Sequence, residues 1–132
     1  MIRYTVTSDL PVEAVQRLLK QTEWAANRSD EYVAEMLLRS VCASAWSDDM
    51  MVGFARAVTD NIYRAFIEDV VVDDDIRGRG IGGGLIHALL NHLHHVEEVC
   101  LFCEDGLVTY WANFGFEPVS NNALHIRRIE EI

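Results

Sequence analysis

At 132 residues, 50% of them hydrophobic and 24% charged, the chain suits one domain, residues 1–132, with a real core. Its 21 acidic against 11 basic residues, a formal charge of −10, disfavour a nucleic-acid partner, which needs clustered Lys and Arg, and are compatible with a small cationic substrate. No run approaches the ~18 apolar residues of a membrane span, and the opening MIRYTVTSDLPVEAV lacks the n-, h- and cleavage regions of a signal peptide, so a cytoplasmic protein with no membrane partner is expected.

The alternation in IRYTV predicts a first strand, residues 2–6. Pro11 then opens a helix, PVEAVQRLLKQ, with Asp9 as its expected cap and Val12, Val15, Leu18 and Leu19 on its apolar face. After the polar segment TEWAANR, whose Trp24 reads as a core anchor or as part of a substrate-facing lid, SDEYVAEMLLRS predicts a second helix capped by Ser29 or Asp30. VCASAWSD and MMVGFARAVTD, joined at Asp48-Asp49, predict a hairpin, and Asp60-Asn61 a further turn into a long strand, IYRAFIEDVVV. A helix follows to about His94, with Ile81, Leu85, Leu89 and Leu93 repeating every four. Val96–Cys103 reads as a strand, GLVTYWANF as a short helix and ALHIRRIEEI as a last strand. The order predicts an α/β fold: a single mixed, mainly antiparallel sheet with helices on both faces.

Cys100 and Cys103 form a CxxC, but on a strand an i, i+3 pair faces opposite sides, so a metal site is not expected and all three cysteines read as buried and structural. His92 and His95 share a helix face, yet no Asp, Glu or Cys motif completes a ligand set. No metal is assigned.

The densest chemistry lies at VVVDDDIRGRGIGGGLI, Val70–Ile86, where a β-branched strand runs through five glycines into a helix. Free amides of a first helical turn, the helix dipole, and glycines that let an anion reach the backbone together make an anion site. Arg77 and Arg79 add positive charge there. A phosphate loop of the Walker type requires Gly-Lys-Ser/Thr, which Gly82-Gly83-Gly84 lacks. A dinucleotide fingerprint is formally present in Gly78-Arg79-Gly80-Ile81-Gly82-Gly83, but mid-chain, after a hairpin, in a chain short for two mononucleotide halves. As a mere connection, three glycines entering a helix would cost about 1 kcal/mol each relative to alanine.

Arg77-Gly78-Arg79-Gly80-Ile81-Gly82 has the form [QR]-x-x-G-x-[GA], and YWANFGFEP follows one helix and one strand later. In this pairing and spacing the chain resembles the GCN5-related N-acetyltransferases, with the specific residues concentrated between Ile67 and Pro118. The resemblance implies the fold of that family, acetyl-CoA as cosubstrate, and direct acetyl transfer to a primary amine of a small acceptor. It implies that backbone amides from Arg77 to Gly83 (Arg77, Gly78, Arg79, Gly80, Ile81, Gly82, Gly83) receive the pyrophosphate. Val70, Val71 and Val72 would pair with the pantetheine arm beside a bulge, and the Val70 N–H would meet the oxyanion. A homodimer is also implied.

Glu68 and Asp69, which interrupt the apolar run FIEDVVV, are the expected bases; in a regular strand they face opposite sides. The alternative reading is that either carboxylate caps a bulge or binds a substrate ammonium. IEDVVV further resembles glucosamine-6-phosphate N-acetyltransferases, but no basic cluster for a sugar phosphate accompanies it. Where the family commonly places a tyrosine four residues before the glycine, this chain has Trp111, with Tyr110 beside it. An indole N–H donates a hydrogen bond but not a proton, so Tyr110 or water is left as acid, with Trp111 positioning the cosubstrate. A non-catalytic acyl-CoA-binding or sensing module of the same fold is the alternative.

Overall fold

The computed structural model describes residues 1–128. Its elements are β1 (Ile2–Val6), α1 (Val12–Leu19), α2 (Asp30–Arg39), β2 (Val41–Ser47), β3 (Met50–Thr59), β4 (Arg64–Val72), α3 (Ile81–His92), β5 (Glu98–Cys100) and α4 (Val108–Ala112). The chain divides into two compact units, Met1–Leu101 and Phe102–Ile132.

In the first unit the five strands form one sheet in the order β1-β2-β3-β4-β5. The first three pairings are antiparallel, and β4 pairs with β5 in parallel. A parallel pair needs a long crossover, which α3 supplies. Side-chain alternation sorts the two faces. On one, Cys42, Met51, Phe54 and Val71 pack with Val15, Leu18 and Leu19 of α1 and Val33 and Leu37 of α2. Each large apolar side chain removed from water there contributes about 1.5–3 kcal/mol. On the other, the register aligns Ala43 with Ala55, Ala45 with Gly53 and Val41 with Ala57. This small-residue floor admits α3 closely: a Cβ on Gly53 would sit 2.9 Å from Leu85 and 3.2 Å from Ile81.

The expected order of elements is present from β1 to α4, with three local differences. Pro11 rather than Asp9 occupies the α1 N-cap position, without a side-chain cap, while the Asp9 N–H donates to Thr7 Oγ1 at 3.1 Å. Of the two caps expected for α2 it is Ser29 that serves, accepting from the Tyr32 N–H at 3.1 Å. β4 starts at Arg64 because Asp60 Oδ1 accepts from the N–H groups of Ile62, Tyr63 and Arg64, closing a turn through Asn61 at φ 69°. β5 is three residues long, so Cys103 lies outside it. Of the cysteines only Cys42 is buried, its thiol pushed up to about 11 by that burial; Cys100 is partly covered and Cys103 exposed.

In the second unit, Gly115 at φ 95° reverses the chain after α4, and Phe116 turns back onto Trp111, ring centroids 5.5 Å apart. The expected last strand over ALHIRRIEEI falls partly outside the described residues, at 129–132. Its residues 123–128 form no strand, and Leu124 and Ile126 have no core to enter, being 90% and 78% exposed. No helix among the described residues is long and apolar enough to cross a membrane, and no group of three potential metal ligands occurs among them.

Candidate acyl-CoA site at the β4 bulge and glycine turn

β4 is irregular where its charged residues lie. Phe54 pairs with Val71 and Arg56 with Glu68, so two steps on β3 oppose three on β4, and Asp69 and Val70 have no partner in the ladder. Asp69 takes φ 55°, a left-handed backbone that Asp tolerates better than most residues. On the other side, β5 pairs only with Arg64, Ala65 and Phe66. The half of β4 from Ile67 to Val72, including Val70, Val71 and Val72, is thus without a strand partner on that edge among the described residues.

The bulge undoes the alternation expected of a regular strand. The register sets Glu68 opposite Arg56, and Arg56 Nε also donates to Asp69 Oδ2 at 2.6 Å, so both carboxylates share one guanidinium neighbourhood. Their environments differ. The Asp69 side chain is 1% exposed and accepts two more bonds, from Arg28 Nη1 at 2.7 Å and Trp24 Nε1 at 2.9 Å. Burial alone would raise its proton affinity, but the hydrogen bonds and charges of Arg28 and Arg56 overcome this and hold its carboxyl below the ordinary carboxylate range. Glu68 is half-buried. Desolvation, then the charge of Asp69, push its carboxyl up, against the pull of Arg56 and Arg28. Of the pair, Glu68 has the character of a proton acceptor.

Beyond Val72 the turn is fixed at its start and open at its end. Buried Asp73 accepts from Arg17 Nη1 at 2.9 Å, and Gln21 Oε1 accepts from the Asp74 N–H at 2.9 Å, fastening the strand end to α1 and the segment after it. Gly78 and Gly80 adopt φ 83° and 79°, and a Cβ on either would meet nothing within 4 Å. Gly80 is the N-cap of α3, so the first-turn amides of Ile81, Gly82 and Gly83 have no intrahelical acceptor. Arg77 pairs with Asp74 at 2.7 Å, and both it and Arg79 are exposed. A cradle of left-handed glycines with open space over a helix start fits a pyrophosphate, and the unpaired edge of β4 fits an amide-bearing arm.

Tyr110 and Trp111 lie in the second unit, on α4. They stack edge-on at 5.6 Å, with Phe114 5.3 Å from Tyr110, and burial pushes the Tyr110 phenol up. Sequence reasoning missed Arg28 and Arg56 and assigned Trp24 no partner. Trp24 is no core anchor: it is 60% exposed, and its N–H donates to Asp69. Arg56 was detectable by the signal that singled out Glu68 and Asp69, a charge interrupting an apolar strand, VGFARAVT.

The model of the acetyltransferase (GNAT) family matches residues 11–116. The uncharacterized N-acetyltransferase ycf52 of Pyropia yezoensis is 34% identical over 104 residues, covering 77% of this chain and 56% of its own length. The chain thus spans just over half the length of such curated relatives. Among solved structures, a GNAT-family protein from Xanthomonas campestris pv. campestris superposes with a TM-score of 0.80 at 28% identity, covering 94% of each chain. A GNAT-family acetyltransferase from Streptococcus pneumoniae gives 0.81 at 26% identity, covering 98% of this chain and 100% of its own. The sequence motifs, the bulged strand, the glycine turn and the family match converge, and the chain belongs to the GNAT acetyltransferase family.

Proposed function

We propose that this chain moves an acetyl group from acetyl-CoA directly to the primary amine of a small, cationic acceptor. Acetyl-CoA supplies an activated thioester carbonyl; the chain's own residues hold it and manage the protons. The amides from Arg77 to Gly83 hold the pyrophosphate, and Val70, Val71 and Val72 line the arm. An acceptor amine is mostly ammonium near pH 7 and must lose a proton before it attacks. Glu68, half-buried with a raised proton affinity, takes that proton directly or through water. The Val70 N–H, outside the β3–β4 ladder, donates to the carbonyl oxygen as negative charge builds. The family resemblance that singles out Tyr110 and Trp111 supports the Tyr110 phenol, protonated at neutral pH, as the donor for the departing thiolate and Trp111 as orienting the cosubstrate.

The observation that carries this reading is the pair of unlike carboxylates at the bulge, one neutralised by two arginines and one left to titrate. A thiol-release assay with acetyl-CoA and a panel of amines tests it. Release should require the amine, and Glu68→Gln should lower turnover by about 10²–10⁴ while acetyl-CoA affinity holds. Full activity of Glu68→Gln across pH 6 to 9 would remove Glu68 from the chemistry. Trp111 in the place of the family's tyrosine favours a second reading, an acyl-CoA-binding module without turnover. Tight acetyl-CoA binding with no amine-dependent release would establish it.

The family resemblance supports a homodimer, for which the exposed Val119, Leu124 and Ile126 offer apolar surface, and a cytoplasmic location. Sedimentation should show a dimer at tens of micromolar, roughly the regime of a weak interface, and a monomer there would contradict it.

A further inference from the structure

Between α1 and α2, residues 22–28 form a loop with few apolar residues and no regular structure, yet it is tied down at both ends. Thr22 Oγ1 accepts from the Ala25 N–H at 2.9 Å, and buried Gln16 Nε2 donates to the Arg28 carbonyl at 2.8 Å and to Asp30 Oδ1 at 3.0 Å. Trp24 and Arg28 reach from this loop to the one buried carboxylate of Asp69, across 45 and 41 residues of sequence. Arg56 closes the cluster from β3. With its oxygens receiving three donors and its side chain 1% exposed, Asp69 is shielded from an acceptor and disfavoured as a base. The indole of Trp24 has the opposite character: its N–H is fixed and most of its surface is open.

We propose that Asp69 is a positioning residue that locks Trp24 and Arg28 onto the β4 bulge, making the exposed Trp24 indole a fixed wall of the acceptor site. The inference rests on the reading of Glu68 as the base beside that wall. A rigid aromatic face suits an amine with an apolar body better than a small polar one. The same clamp fixes the charges around Glu68: Asp69 on its own strand, Arg56 on β3 and Arg28 on the loop. Replacing Asp69 by a neutral residue removes a negative neighbour and leaves both arginines uncompensated. Both changes favour ionised Glu68, so its titration should move to lower pH.

The test compares Trp24→Phe and Asp69→Asn with the unaltered chain, reading acceptor KM, kcat, acetyl-CoA affinity and the carboxyl titration of Glu68 by ¹³C NMR. Asn suits the left-handed backbone of position 69. Trp24→Phe keeps a ring but loses the N–H, and should raise acceptor KM about tenfold or more, the scale of a hydrogen bond to a charged group, with acetyl-CoA affinity unchanged. Asp69→Asn should raise acceptor KM similarly and shift the Glu68 titration and the acid limb of kcat/KM to lower pH, which loss of folded protein alone does not do. If Asp69→Asn fails to fold, Trp24→Phe decides alone. Unchanged acceptor KM in Trp24→Phe overturns the proposal, as does an unmoved Glu68 titration in folded Asp69→Asn. Failure of the underlying reading is separate: Glu68→Gln would then keep its activity, while the Trp24 result would still report on the wall.

Discussion

The β4 bulge and the glycine turn lie a few residues apart on the same chain and are specified in opposite ways. At the bulge, a residue in an unfavoured backbone conformation is held by side chains: Asp69 receives donors from Trp24, Arg28 and Arg56, drawn from a loop and a neighbouring strand. At the turn, the conformation is written into the local sequence: Gly78 and Gly80 take φ values that other residues avoid, with nothing packed where a Cβ would be. Its arginines stand in solvent, Arg77 paired with its neighbour Asp74. On the proposed function, the bulge is a fixed frame for proton transfer and the turn an open rim of backbone for an anion. Substitutions should therefore damage folding at the first and binding at the second.

The largest loss of stability should follow Asp69→Ala. Removing one member of a buried ion cluster costs about 3–5 kcal/mol because the partners remain charged and unpaired, and a left-handed alanine adds about 1–2 kcal/mol. Asp69→Gly should recover the second part only, as read by urea unfolding. Equal stability of Asp69→Ala and the parent would break the contrast between frame and rim. The pH dependence follows from the lowered proton affinity of Asp69. Its contribution is present above the unfolded carboxylate value, ~3.9, and is lost as pH falls through the still lower folded value. The stability gap between the parent and Asp69→Asn should therefore close under acid.

A smaller effect sharpens the comparison within the glycine run. A Cβ on Gly84 would overlap the ring of Tyr4 on β1, so this glycine serves packing rather than the rim. Gly84→Ala displaces only the far end of the Tyr4 side chain, itself 37% exposed. It gains about 1 kcal/mol of helix propensity, so its stability should stay within about 1 kcal/mol of the parent's. Its acetyl-CoA affinity should stay near the parent's once the variant is folded. Lost affinity in a folded Gly84→Ala would place Gly84 with the ligand instead.

The same contrast explains what could be read from the sequence. The helices, the hairpin and the crossover were legible because the apolar repeats of α1 and α3 and the turn at Asp48-Asp49 are local signals. The glycine turn was legible for the same reason. The bulge was not: alternation through FIEDVVV suggests a regular strand, and what bends it is a set of contacts 13 to 45 residues distant. Sequence chose Glu68 and Asp69 as a pair but could not separate them, because the difference lies in Arg28 and Arg56. The start of β4 was missed by two residues, since Asp60 spends its carboxylate on three backbone N–H groups.

The most direct measurement is calorimetric titration of acetyl-CoA into the parent chain, Gly80→Glu, and the double variant Arg77→Gln/Arg79→Gln. If backbone amides hold the pyrophosphate, Gly80→Glu should abolish binding, by strain at φ 79° and by an anion placed in the cradle. The exposed arginines should matter far less, about tenfold together, the scale of two solvent-screened charges. Unchanged affinity in Gly80→Glu, or abolished binding in the arginine variant alone, would contradict the account.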